Sequence, residues 1–262
     1  MTAQTIVVKI GGSTLGHNDT SLEDIVALHA RGIRVVVVHG GGAEITRWLT
    51  RLNLESRFVD GLRVTGEEEV RVVTAVLSGL VNKTLVLQLN ERGGRAAGIS
   101  GADGALARAR ITNPALGRVG DLEMIDPSLL RALLDAGFTP VVSPVCWGEI
   151  DGGAALLNVN ADDVAAEVAA AIEASSLVYL TDVPGILDSD GKVLPQLAAR
   201  DVGSLITSGV IRGGMIPKAR AGVRASRRVP RTRIIDGTAA HALLRELEAD
   251  PGGTTIVAEE LD

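Results

Sequence analysis

Short runs of β-branched residues alternate along this chain with longer stretches of helical period. TIVVKI (5–10) is followed by SLEDIVALHARG (21–32), RVVVVHG (34–40) by AEITRWLTRLN (43–53), and TPVVSPV, SLVYLTD, TRIID and TTIVAEE come later. Strands apolar at nearly every position are buried on both faces, and a strand–helix–strand order achieves that in a mainly parallel sheet covered by helices on each side. An α/β fold is therefore expected. Helix ends are marked best in IDPSLLRALLDAGF, with Asp126 as N-cap, Pro127 in the first turn, Leu129, Leu130, Leu133 and Leu134 on one face, and Gly137 as the stop. ALARARITNPALGRVGDLEMI mixes Gly, Pro and short polar stretches and reads as irregular hairpins.

At 262 residues the chain has room for one large domain or two lobes. A soft boundary at EASSL (173–177) suggests two lobes sharing one sheet, 1–174 and 175–262. A formal charge of -6 argues against a partner made of phosphate backbone or anionic membrane, and aromatics at 2% leave no platform for stacking nucleobases. Any phosphate bound should be small and locally held. The single cysteine, Cys146, has no internal disulfide partner, and the N-terminal MTAQTIVVKIGGS lacks the basic and apolar regions of a signal peptide. No uninterrupted apolar run approaches the ~20 residues of a membrane span. A cytoplasmic protein is expected.

Three glycine-rich turns carry the chemistry: KIGGS (9–13), HGGGAE (39–44) and IRGGMIPK (211–218). Glycine lets backbone N–H groups approach a ligand, and a helix start adds unpaired donors and partial positive charge. Either is suited to a phosphate, although none of these loops spells a P-loop or G-x-G-x-x-G. Two of them hold a lysine placed badly for stability. Lys9 lies in an apolar strand, and Lys218 follows a proline in a first helical turn, where a cation opposes the dipole. A shared anion explains both. LLNVNADDVAAEVAAAI supplies Asn158, Asn160, Asp162 and Asp163 at a helix start; capping accounts for one aspartate and does not need both asparagines. Arg63, in VDGLRVTGEEE, reads equally as a surface partner of Glu67 or as a clamp on a substrate carboxylate. His39 reads as packed at its strand end.

In order, VVKIGGS, VVVVHGGGAEI, DGLRVT, GLVNKTLV, GISGADG, NVNADDVA, YLTDVPGIL, GVIRGGMIPK and IIDGTAAHALL resemble the acetylglutamate kinases of the amino acid kinase family, from Ile6 to about Val257. The resemblance implies a three-layer αβα sandwich on a mainly parallel sheet. It implies an N-terminal lobe that binds the amino acid and makes a homodimer, and a C-terminal lobe that binds ATP. The reaction implied is transfer of the ATP γ-phosphoryl group to the side-chain carboxylate of N-acetyl-L-glutamate, in arginine biosynthesis. Lys9 and Lys218 match the two catalytic lysines, and Asp162 the aspartate that organises them. Gly40, Gly41, Gly42, Gly11 and Gly12 would offer N–H groups to the phosphoryl and its neighbours, Gly41 and Gly42 at the substrate side. Arg63 and Asn158 match the grip on acetylglutamate. Thr181, Asp182, Gly185, Gly213, Gly214, Met215 and Ile216 match the nucleotide segments. Magnesium should ride on the ATP phosphates, with no protein cage of its own.

Two rivals share these motifs: a kinase for glutamate or 2-aminoadipate attached to a carrier protein, and a non-catalytic sensor. The charge of -6 gives no global support to the first. Lys9, Asp162 and Lys218 together weigh against the second. Because only five residues precede Ile6, whereas arginine-inhibited relatives carry an extra N-terminal helix, a dimer inhibited weakly or not at all by arginine is expected.

Overall fold

The computed structural model describes residues 4–11, 20–59, 61–246 and 252–258. In chain order its strands are β1 (Thr5–Ile10), β2 (Arg34–His39), β3 (Phe58–Val59), β4 (Leu62–Arg63), β5 (Ala96–Ser100), β6 (Ala107–Arg110), β7 (Asp121–Ile125), β8 (Thr139–Ser143), β9 (Val145–Ile150), β10 (Gly153–Asn158), β11 (Ser176–Thr181), β12 (Gln196–Ala198), β13 (Arg231–Asp236) and β14 (Thr254–Val257). The helices are α1 (Ser21–Ala30), α2 (Gly42–Arg51), α3 (Glu67–Thr74), α4 (Asn82–Glu91), α5 (Ser128–Asp135), α6 (Ala161–Ala171), α7 (Val202–Thr207), α8 (Met215–Ser226) and α9 (Ala242–Arg245), and a π turn, Ala75–Val81, joins α3 to α4.

Eight strands form the main sheet in the order β12-β14-β13-β11-β1-β2-β8-β5, with every neighbour parallel except β13 and β14. Successive side chains of a strand face opposite ways. Val7, Val36, Val38 and Leu177 accordingly join one core with α6 and α8, while Ile6, Val8, Val35, Val37 and Val178 join the other with α1 and α4. This is the expected αβα sandwich. Each fully buried valine is worth about 1.5–3 kcal/mol of transfer free energy, which is what the all-apolar strand pattern encodes. The same alternation sets Lys9 on the α6 face, because it stands two residues after Val7.

Helix α6 is buried nearly all round, with Val164, Ala165, Ala166, Val168 and Ala169 at 1% exposure or less. Its small residues let α8 lie close against it. The irregular middle of the chain forms the antiparallel pair β6–β7, bulged between Arg108 and Ala109, within a four-stranded sheet ordered β10-β9-β6-β7. Helix α5 begins one residue later than expected, so Pro127 takes the cap position. Asp126 still does the capping chemistry from one residue upstream, since its Oδ1 accepts from Ser128 N at 2.9 Å.

One helix among the described residues, Glu67–Glu91, is long and apolar enough to cross a membrane by length and composition. It carries Glu67, Glu68, Glu69, Arg71 and Lys83, and it lays Val73, Leu77, Leu85 and Leu89 into the cores. That is the pattern of a helix packed on a sheet.

Candidate active site

Three charges meet on the α6 face of the sheet. Strand period brings Lys9 there, the first turn of α6 brings Asp162, and the first turn of α8 brings Lys218. Lys9 Nζ lies 2.8 Å from Asp162 Oδ1, and Lys218 Nζ lies 3.4 Å from Asp162 Oδ2. Lys9 is 5% exposed and Asp162 4%. Burial pulls the Lys9 ammonium below its ordinary value; Asp162 opposes that pull and Lys218 adds to it. Desolvating three charges is a poor way to gain stability, and two cations on one carboxylate leave a net positive site. An anion completes it.

Asp162 is held on its backbone from two directions. Asn160 caps α6 by accepting from Asp162 N at 2.8 Å, and the Tyr179 hydroxyl donates to Asp162 O at 3.1 Å. The cap is thus an asparagine and neither aspartate, which departs from the sequence reading. Asp163 is taken up by an ion pair with Arg224, and Glu167, one turn on, by Arg228.

A cleft of about 220 Å³ opens beside the triad, bordered by Lys9, Gly40, Gly41, Gly42, Arg63, Asn158 and Asp162. All four residues expected on the substrate side, Gly41, Gly42, Arg63 and Asn158, therefore share one cavity with two of the three charges. Gly40 departs from expectation as a donor. Its N–H is spent on Ile10 O at 3.0 Å, because it extends the β1–β2 ladder one residue past the strand end. Gly41 and Gly42 stand where α2 begins, and the first-turn N–H groups there have no intrahelical acceptor. A Cβ on Gly41 would meet Leu77 Cδ2 at 2.6 Å. Gly11 directly follows β1, whereas Gly12 lies outside the described residues.

Arg63 is not a surface partner of Glu67. It is 7% exposed, donates from Nη2 to Gly42 O at 2.9 Å and Thr46 Oγ1 at 2.8 Å, and stacks 4.6 Å over the Phe58 ring. Glu67 instead faces Arg118 at 3.5 Å. Asn158 Nδ2 donates to Thr65 Oγ1 at 3.1 Å, which in turn donates to Arg63 O at 3.0 Å, so the two cleft residues are tied through Thr65. Sequence reasoning missed Thr46 and Thr65, whose only signal was nearness to the glycine loop and to Arg63.

At the start of α8, the helix that carries Lys218, lies a cavity of about 520 Å³ bordered by Gly185, Ile186, Asp188, Arg212 and Met215. Thr181 and Asp182 stand at the end of β11, and Gly185 turns at φ +149 with Thr254 Oγ1 2.8 Å from where a Cβ would sit. Gly213 and Gly214 precede α8, Gly213 at φ +56. Met215 and Ile216 spend their N–H groups on Arg212 O and Gly213 O, both at 3.2 Å, so neither N–H is left to donate to a ligand. Arg212, in the IRGGMIPK stretch, is a cavity residue that the sequence pattern does not mark.

The model of the Amino acid kinase family matches residues 4–236. The chain belongs to that family. Among amino acid kinases it is 43% identical over 259 residues to the acetylglutamate kinase of Dehalococcoides mccartyi strain CBDB1, covering 98% of this chain and 95% of the relative. The smu.665 protein of Streptococcus mutans UA159 superposes with a TM-score of 0.84 at 28% identity, covering 97% of this chain and 99% of that one. Carbamate kinase from Giardia lamblia, solved with AMP-PNP, superposes at 0.71 with 12% identity over 98% and 99% of the two chains, a likeness of fold alone.

Proposed function

We propose that this amino acid kinase transfers the γ-phosphoryl group of ATP to the side-chain carboxylate of N-acetyl-L-glutamate, giving ADP and N-acetyl-L-glutamyl 5-phosphate, a step in arginine biosynthesis. The observation that carries the reading is one buried aspartate holding two lysines beside a glycine-bordered cleft, in a chain whose relatives bear the acetylglutamate kinase name.

A substrate carboxylate oxygen attacks the γ-phosphorus while the bond to the β–γ bridging oxygen breaks and its electron pair leaves with ADP. The carboxylate is already ionised near neutral pH, so no proton has to move. Catalysis is in-line positioning plus neutralisation of charge spread over the equatorial and bridging oxygens, which is the work of Lys9 and Lys218. Asp162 keeps the two ammonium groups apart and aimed. Gly41 and Gly42 offer N–H groups to the phosphoryl, and the family resemblance assigns Gly11 and Gly12 to the phosphates as well. Arg63 and Asn158 grip the α-carboxylate and acetamido group. Thr181, Asp182, Gly185, Gly213, Gly214, Met215 and Ile216 flank the nucleotide, with Arg212 added by its place in the larger cavity. Mg2+ is carried by the ATP phosphates, as a small hard cation that keeps several waters and binds substrate phosphates readily. The lobe 1–174 holds the acid and 175–262 the nucleotide.

The enzyme works as a homodimer in the cytoplasm. Leu80 and Leu87 stand 44% and 59% exposed on Glu67–Glu91, beside a groove shared with α2, and a second copy covers them.

An ATP-dependent acyl-phosphate assay with hydroxylamine trapping tests the substrate, comparing N-acetyl-L-glutamate with glutamate, aspartate and N-acetylaminoadipate. Strong preference for N-acetyl-L-glutamate is expected. Preference for another acid, or turnover of none, would contradict the assignment.

A further inference from the structure

The peptide between Gly40 and Gly41 is held from behind by two side chains that the phosphoryl-transfer scheme leaves unused. His39 and Asn82 are both fully buried. His39 Nδ1 is 2.8 Å from Gly40 O, and His39 Nε2 is 3.2 Å from Asn82 Nδ2. The amide of Asn82 has one workable orientation: Nδ2 donates to Val141 O at 2.9 Å, while Oδ1 accepts from Lys83 Nζ at 3.0 Å. Turning it over would set oxygen against a carbonyl and nitrogen against an ammonium.

That orientation decides the imidazole tautomer. An amide N–H facing Nε2 requires Nε2 to accept, so the ring proton sits on Nδ1 and is donated to Gly40 O. A trans peptide carries its N–H opposite its C=O, and no cis bond occurs among the described residues. With Gly40 O tied to His39, the Gly41 N–H faces the other way. The three glycines and Lys9 border the cleft on that side, and His39 does not.

We propose that His39, oriented by Asn82, is a positioning residue that fixes the Gly41 N–H as a hydrogen-bond donor to the transferring phosphoryl group. This rests on the phosphoryl-transfer reading and names what aims its donor. Two further observations fit. The π turn Ala75–Val81 ends immediately before Asn82, and such a turn re-registers the side chains that follow it. Gly98 leaves the space that Asn82 uses, since a Cβ there would stand 2.0 Å from Asn82 Oδ1. The imidazole stays neutral: burial lowers it to about 4, and Lys9 and Lys83 push the same way. His39 is therefore a fixed donor and takes no part as acid or base.

The test compares wild type, His39→Leu and His39→Asn in the acyl-phosphate assay. Asparagine keeps an N–H donor close to where Nδ1 stood; leucine keeps bulk alone. For His39→Leu, kcat should fall about tenfold or more while KM for ATP and for the acid stays within about twofold, the signature of a contact made in the transition state. His39→Asn should recover most of the lost rate. Unchanged kcat in His39→Leu, a loss confined to KM, or no recovery in His39→Asn would overturn the proposal. An inactive wild type would instead overturn the phosphoryl-transfer reading. Should His39→Leu fail to fold, the imidazole 15N spectrum of the wild-type protein decides: the Nδ1–H tautomer is expected for His39, and the Nε2–H tautomer refutes the relay.

Discussion

At the residue scale, Lys9 must keep its proton in a place that disfavours charge. Burial lowers its pKa from 10.5, so as pH rises Lys9 deprotonates before an ordinary lysine would, and kcat should fall on the alkaline side. Lys9→Arg, whose guanidinium stays charged, should be slower but should lack that alkaline limb; an identical limb in both pH–rate profiles would place the titration elsewhere. Arg63 makes a different demand. Arg63→Ala should raise KM for the acyl acceptor roughly tenfold or more, with a smaller change in KM for ATP, because the grip proposed on the acid is its guanidinium, which borders the cleft. Steady-state kinetics varying each substrate separates the two. Lys9 and Lys218 were legible in the sequence because each lysine violates a local rule that a shared anion repairs, whereas Asp162 was separated from Asp163 only by the family resemblance. Gly40 was misread for the opposite reason: a glycine run does not say which N–H the sheet will claim, and Ile10 O claims this one.

At the element scale, the reach of Lys218 to Asp162 depends on how α8 sits against α6. Asp163 and Glu167 are one turn apart on α6, Arg224 and Arg228 one turn apart on α8, and the pairs form two rungs between the helices. The arginine side chains are 44% and 55% exposed, so each rung contributes at most about 1 kcal/mol to stability. Two rungs one turn apart also tie the register of α8 to that of α6. The double substitution Arg224→Ala, Arg228→Ala should lower kcat several-fold while the melting temperature drops only a few degrees, as read by paired kinetics and thermal unfolding. A large melting shift with unchanged kcat would make the rungs purely structural. Element identities were legible from period and caps, as the Asp126 bond to Ser128 N shows. The π turn before Asn82 was not, since Ala75–Val81 continues an ordinary helical pattern and the extra residue per turn leaves no mark in composition.

At the scale of the whole molecule, the all-apolar strands implied a covered, mainly parallel sheet, and that is what forms. Strand order was out of reach: period shows that TTIVAEE is a strand, but not that β14 inserts between β12 and β13 and runs antiparallel to β13. Partner choice is set by long-range packing that a local pattern does not contain. The exposed Leu80 and Leu87 give the molecule a face to cover, and light scattering should return twice the monomer mass of 27.2 kDa. Leu80→Asp with Leu87→Asp should return the monomer; an unchanged mass would place the interface elsewhere. Stabilisation of a phosphoryl group in flight is the role proposed for Lys9, Asp162 and Lys218. It is tested most directly by measuring turnover and ATP affinity of Lys218→Ala beside wild type. A kcat lower by about 100-fold or more with Kd for ATP changed only a few-fold is expected; equal losses in both would make Lys218 a nucleotide-binding residue and contradict that role.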